Sequence, residues 1–279
     1  MKILRRFFFW IIGLLFCLIL IGFLVSQQLS ARPDFETIQA DFAQKGISMT
    51  QQQLAVSDGG IHYVRVGDET LPSLLLVHGS PGDWSAWRSL LEESSLVEQY
   101  NIIVIDRPPY NGSNGKGGSL VSQSNALHAL ILNECNPCIA MGHSYGGALV
   151  LQLAVDYPTH FSKIISLAGT IDASSQQPKW YNYMGRNPLI AYFLSTPFKA
   201  SNTEMMLLPK DLSLLDARLH RITAEVILLQ GGQDVLVAPD SPFSLLTKLD
   251  NVTIDYDSER DHFVIWTDID AVLSSLKID

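Results

Sequence analysis

The sequence predicts an α/β fold: a mostly parallel, eight-stranded sheet flanked by helices, with a small helical cap. Three observations predict it. Eight short strand-like runs recur between residues 53 and 256. The first two, Gln53–Ser57 and Ile61–Val66, flank Ser57-Asp58-Gly59-Gly60 and read as a β-hairpin. The later runs are mostly continuous apolar segments separated by helical stretches, the pattern of parallel strands covered on both faces.

The elements follow in order. Phe7 to Val25 is apolar throughout, and at about 1.5 Å per residue it matches a hydrocarbon core of about 30 Å. Lys2, Arg5 and Arg6 precede it, and no basic residue follows until Arg32. The positive-inside rule then orients the N-terminus to the cytoplasm and the remainder to the exoplasmic side, which is the periplasm in a Gram-negative cell. A cleaved signal peptide is the competing reading. Its apolar region is usually shorter, and residues 26–31 offer no small-x-small cleavage site. The chain divides into a cytoplasmic stub (1–6), a transmembrane signal-anchor (7–26), a linker with a short amphipathic helix (27–50) and one large domain (51–279). In the linker, Phe35, Ile38 and Phe42 share a helical face and Gly46 marks a stop.

Within the domain, strands are expected at Leu74–Val77, Ile102–Asp106, Cys138–Met141, Ile164–Leu167, Val226–Gln230 and Val252–Tyr256. Helices are expected near Trp84–Glu93, Leu120–Leu132, Ala148–Asp156 and Phe263–Leu276. Residues 172–220 break this rhythm. They are rich in Trp, Tyr, Phe, Met and Pro and too long for an ordinary connection, so they read as the cap.

The net charge is −9; without the N-terminal stub, 16 basic residues face 28 acidic ones, a balance of −12. An acidic body argues against nucleic acid or anionic lipid as the ligand. Cys135-Asn136-Pro137-Cys138 could be a redox pair, but it lacks a thioredoxin-like context and reads better as a local disulfide.

Gly142-His143-Ser144-Tyr145-Gly146-Gly147 sits between a strand and a helix, the context that gives a Gly-x-Ser-x-Gly pattern meaning. Ser144 reads as a nucleophile. A serine hydroxyl needs a base, and the base needs an orienting group. Among downstream histidines, His160 and His220 fall in surface positions, whereas His262 follows the last strand at the same sheet edge as Ser144. Asp234, after the strand Val226–Gln230, supplies the acid; Asp172 is the fallback. The oxyanion donors are expected to be the backbone N–H groups of Tyr145 and Ser80. His78 is read as a loop brace.

Together these residues resemble the α/β-hydrolase superfamily, over nearly all of residues 51–279. The resemblance rests on His78-Gly79-Ser80-Pro81-Gly82, Asp106-Arg107-Pro108, the Ser144 elbow, Gly231-Gly232-Gln233-Asp234 and Asp261-His262-Phe263. The α/β-hydrolase fold is thereby implied, and within it the cap-bearing esterase, epoxide hydrolase and proline iminopeptidase group. Two positions depart from the pattern. Pro109 and Asn111 replace glycines of the usual Arg-Pro-Gly-Tyr-Gly turn. Asp261 replaces a glycine before His262, which could add charge beside the imidazole.

Relatives that open epoxides form their ester intermediate on aspartate, so serine at 144 favours acyl transfer. The expected function is a membrane-anchored serine hydrolase of a carboxylic ester, with an apolar small-molecule acyl substrate and no metal or organic cofactor. An aminopeptidase, for which Glu204 could hold the substrate ammonium, and a C–C bond hydrolase are the alternatives within the fold. A catalytically silent, membrane-tethered binding protein is the alternative outside enzymes.

Overall fold

Alternation along the strands builds two cores, one on each face of a central sheet. The computed structural model describes residues 34–276 except 57, 58 and 116, together with Trp10, residues 21–25 and Gln28. Among these residues eight strands form one sheet: β1 (Met49–Val56), β2 (Gly59–Val66), β3 (Ser73–Val77), β4 (Asn101–Ile105), β5 (Cys138–His143), β6 (Phe161–Leu167), β7 (Glu225–Gly231) and β8 (Val252–Asp257). Their order is β1-β2-β4-β3-β5-β6-β7-β8. The sheet is mixed: β1–β2 and β2–β4 pair antiparallel, and the remaining pairings are parallel. In β3 and β4, Leu75, Val77, Ile103 and Ile105 enter one core, while Leu74, Leu76, Ile102 and Val104 enter the other. The period of two in side-chain direction does this sorting.

Helices cover both faces. α1 (Phe35–Gln44) precedes the sheet; α2 (Arg88–Leu91) and α3 (Ser94–Val97) follow β3 after a 3-10 turn at Trp84–Trp87. α4 (Leu120–Ala126) and α5 (His128–Glu134) lead into β5, and α6 (Tyr145–Asp156) connects β5 to β6. Residues Tyr145 to Val155 of α6 are all buried, as expected of a helix apolar on every side. α7 (Trp180–Gly185), α8 (Pro188–Phe193) and α9 (Thr196–Asp216) form the cap, and α10 (Val264–Thr267) and α11 (Ile269–Leu276) follow the last strand.

Two expected single helices are broken. The stretch from Leu120 bends at Leu127, whose N–H is shared between the carbonyls of Gln123 and Ser124. The last helix breaks at Asp268 (φ −141°, ψ 61°), and the Asp268 carboxylate accepts from Ala271 N and Arg260 Nε as a new N-cap.

Among the described residues no helix is long and apolar enough to cross a membrane. The span expected at 7–26 falls outside the described residues except for Trp10 and residues 21–25, which are helical and include the exposed Ile21, Leu24 and Val25. Residues 57 and 58 of the expected hairpin turn also lie outside them; β1 and β2 pair from Val56↔Gly59 onward. Cys135 and Cys138 form a disulfide in the turn before β5.

Helix α1 is tied down at both ends of its apolar face. Asp34 caps it, accepting from Thr37 N at 3.3 Å, and Ile38 and Phe42 are buried against the sheet. Replacing Phe42 with Ala is expected to lower stability by about 3–5 kcal/mol, the cost of an unfilled aromatic site. Denaturant unfolding measures it.

Candidate active site

Backbone crowding shapes the turn between β5 and α6. A Cβ on Gly142 would lie 2.1 Å from the Gly146 carbonyl oxygen, and one on Gly146 would lie 2.3 Å from that of Val77. Only glycine fits at either position. Between them Ser144 adopts φ 56°, ψ −119°, a strained left-handed conformation for a residue with a side chain. Its N–H donates to the Leu167 carbonyl at 2.9 Å, holding the turn to β6. Ser144 thus stands at the N-terminus of α6, where unpaired backbone N–H groups favour negative charge.

Strand ends bring the other groups to the same edge. Asp234 follows β7 and His262 follows β8. His262 Nδ1 donates to Asp234 Oδ2 at 2.8 Å, and both side chains are buried. This contact fixes the tautomer and leaves Nε2 with its lone pair. Ser144, His262 and Ser80 line one cavity of about 590 Å³ beneath the cap, without a hydrogen bond between Ser144 Oγ and His262 Nε2. Burial pushes the Asp234 carboxyl up, but hydrogen bonds from His262, Val237 N and Leu236 N outweigh it, so the group sits below its usual range. It is therefore a carboxylate at neutral pH. Asp172, the fallback acid, turns instead to Ser174 N and Oγ. Asp261 is engaged elsewhere too: it accepts from Phe263 N, just before α10, and from Thr267 Oγ1 at the end of α10.

Arg107 organises the loop that carries Ser80. Fully buried, it donates through Nε to the His78 carbonyl and through one Nη to the Gly79 carbonyl, both at 2.9 Å. His78 accepts from Arg107 N at 3.0 Å and donates to the Gly79 carbonyl, the bracing role expected of it. The Arg107 guanidinium pairs with Glu204 of α9 at 2.8 Å. Burial opposes the charge of Arg107, and Glu204 beside it more than restores it. Glu204 also accepts from Ser80 Oγ (2.5 Å), Tyr110 OH (2.8 Å) and Gln123 Nε2 (2.9 Å). Its carboxylate is thus spent on the cap–loop joint and does not face an ammonium-binding position.

The altered turn after β4 keeps a tight path. Asn111 takes the left-handed conformation (φ 44°) that favours glycine, and its amide donates to Asp106 Oδ2 at 2.8 Å. His62 Nδ1 and Gly112 N reach the same oxygen.

Some residues of the site were not legible in the sequence. His143 Nε2 donates to the His262 carbonyl at 2.9 Å and so braces the loop that carries the imidazole. Burial and the neighbouring His262 push the His143 imidazole down to about 4. Gln230 donates to Asp234 at 3.0 Å. No spacing signal links these pairs; only strand order does. Among the described residues, no three His, Cys, Asp or Glu side chains gather as a metal site.

The sequence profile of the alpha/beta hydrolase fold matches residues 72–217. This chain belongs to that family. Epoxide hydrolase 4 of Mus musculus is 29% identical over 123 residues, covering 42% of this chain and 34% of that protein. The chain spans about a third of the length of the curated relatives it matches first. A putative lipase from Acinetobacter baumannii AYE superposes with TM-score 0.68 at 20% identity, over 88% of this chain and 94% of that one. A membrane phospholipase A described as a bacterial virulence factor superposes with TM-score 0.66 at 17% identity, over 98% of both chains. At these identities the structural matches show the fold.

Glu204→Gln leaves the Arg107 guanidinium buried without its counter-charge, and stability should fall by about 3–5 kcal/mol in denaturant titrations at pH 7. His143 sets a pH dependence. The unfolded chain protonates this histidine near pH 6.5 and the folded chain only near pH 4. Between those values the unfolded state binds more protons, so stability rises with pH and is lost on acidification. At pH 4.5 the loss from this group is about 2–3 kcal/mol relative to pH 7. His143→Gln, which keeps a donor for the His262 carbonyl, should remove that part of the slope in urea titrations.

Proposed function

We propose that this chain is a membrane-anchored serine hydrolase that cleaves carboxylic esters through an acyl-enzyme. The buried Asp234–His262 hydrogen bond, at the edge of the cavity that Ser144 lines, carries the reading. An aspartate that holds a histidine tautomer and leaves Nε2 facing a serine-lined cavity has the arrangement acyl transfer requires.

Ser144 Oγ attacks the ester carbonyl carbon while its proton passes to His262 Nε2. The Asp234 carboxylate stabilises the imidazolium that forms. The N–H groups of Tyr145 and Ser80 receive the oxyanion; the first opens α6, and the second lies on the loop that Arg107 clamps. Collapse expels the alcohol, which takes the proton from His262. Water then repeats the sequence on the acyl-enzyme.

The names of curated relatives include epoxide hydrolases and a pimeloyl-[acyl-carrier protein] methyl ester esterase. An ester intermediate formed by opening an epoxide needs a carboxylate nucleophile. Residue 144 offers a hydroxyl, which favours the esterase side. Trp180, Met184, Ile190, Leu194 and Phe198 in the cavity wall suit an apolar acyl or alcohol portion. Anchoring rests on the apolar run from Phe7 to Val25 behind Lys2, Arg5 and Arg6. The Cys135–Cys138 disulfide fits the oxidising exoplasmic side that this orientation gives.

The test uses the full chain and its Ser144→Ala variant with a fluorophosphonate probe and a p-nitrophenyl ester series. Labelling should vanish in the variant, and kcat should fall about 10⁶-fold in Ser144→Ala and about 10⁴-fold in Asp234→Asn. Labelling that survives Ser144→Ala would overturn the mechanism. A folded chain that is neither labelled nor active on any ester would favour the silent binding protein.

A further inference from the structure

The cap presents an apolar outer face that the proposed chemistry does not use. Trp180 is 72% exposed, Leu189 70% and Tyr192 77%; Tyr183 is exposed too, as is Tyr181, whose ring packs on Trp180 at 5.8 Å. Ile190 of α8 and Leu194 just after it line the cavity, while Leu189 and Tyr192 are exposed. Trp180 and Tyr181 reach both, since they also line the cavity. Tryptophan and tyrosine with apolar bodies and polar tips suit the boundary between lipid headgroups and acyl chains.

Charge is segregated in the same direction. Residues 173–203 contain Lys179, Arg186 and Lys199 and no acidic residue, in a chain of net charge −9. An anionic surface therefore repels the body and attracts this face, by about 1 kcal/mol per basic group close to the headgroups.

The entry point of the chain decides which edge faces the membrane. The middle of α1 lies by the start of β1, where Gln39 Nε2 donates to the Met49 carbonyl, and its first turn extends from there toward the carboxyl side of the sheet. The Phe35 ring packs on Trp84 at 5.8 Å, and Trp84 follows the end of β3. The apolar segment ending at Val25 thus joins the domain at the edge that carries the cavity and cap. Residues 26–34 reach at most about 30 Å when extended. A domain of this size is roughly 45 Å across. So short a tether favours the carboxyl side of the sheet facing the bilayer. Ile21, Leu24 and Val25 are themselves exposed, so these residues do not cover the cap face.

We propose that the outer face of the cap, around Trp180, Leu189 and Tyr192, is a lipid-docking surface. It holds the cavity mouth against the bilayer that carries the anchor, and the ester substrate is an amphiphile drawn from that bilayer. This inference rests on the anchored-hydrolase reading above.

The test uses the full chain in vesicles of phosphatidylcholine with and without phosphatidylglycerol. Cys17→Ser chains carrying either Leu189→Cys or, as control at the opposite edge, Gln99→Cys receive an environment-sensitive fluorophore. Nitroxide lipids should quench the probe at 189 at least threefold more than the probe at 99, and more strongly with phosphatidylglycerol present. A Leu189→Ser, Tyr192→Ser double variant should hydrolyse a long-chain ester embedded in the vesicles at least tenfold more slowly. Its turnover of p-nitrophenyl acetate should stay within twofold. Equal quenching at 189 and 99, or equal slowing of both esters, overturns the proposal. Disulfide trapping of two copies through position 189, in place of quenching, assigns the face to a second copy and also overturns it. Failure of the underlying reading has separate signatures. A parent chain inactive on p-nitrophenyl acetate sinks the hydrolase while quenching still reports docking. A chain stripped from vesicles by alkaline carbonate removes the anchor and overturns the docking surface with it.

Discussion

The Arg107–Glu204 ion pair joins the two halves of the site. Arg107 belongs to the turn after β4, and Glu204 belongs to the cap helix α9. Burying both charges is costly, and a well-packed apolar pair of similar volume could be as stable. What the pair provides is position. The guanidinium spends its remaining donors on the carbonyls of His78 and Gly79 and on Gln123, and the carboxylate reaches Ser80, Tyr110 and Gln123. Each donor and acceptor has one geometry that satisfies it, so the cap helix and the loop beneath it are held in one register. The aromatic rings of Tyr110 and Tyr145 flank the guanidinium at 4.9 and 4.5 Å and complete its enclosure.

Around that joint the sheet acts as a rigid rack. Parallel pairing of β3, β5, β6, β7 and β8 places their carboxyl ends along one edge, where β3, β5, β7 and β8 deliver Ser80, Ser144, Asp234 and His262 in turn. Bracing comes from groups with no reactive role of their own. His143 holds the His262 backbone, and Gln230 holds Asp234. Precision at such an edge depends on these supports as much as on the groups that face the cavity.

Much of this was legible before the fold was seen. The strands announced themselves because buried parallel strands are nearly continuous apolar runs. Ser144 did so because crowding at Gly142 and Gly146 leaves a glycine signature. Helix breaks at Leu127 and Asp268 did not, because a shared carbonyl or a mid-helix cap leaves no change in apolar periodicity. The role of Glu204 was hidden for a related reason. A lone acid in an aromatic segment looks available to a ligand until its partner, 97 residues earlier, is folded against it. Asp261 likewise looked poised beside the imidazole, yet its carboxylate accepts from Phe263 N and Thr267 Oγ1.

The sequence by itself determined the α/β architecture, the elbow serine and the chain order of serine, aspartate and histidine. Local patterning and short-range sterics govern those features, and both are written in neighbouring residues. Only the tertiary structure decided which acid meets His262, which residues the Glu204 carboxylate holds, and what Arg107 neutralises. Those outcomes depend on contacts between residues far apart in the chain, where strand order and burial, rather than spacing, choose the partner.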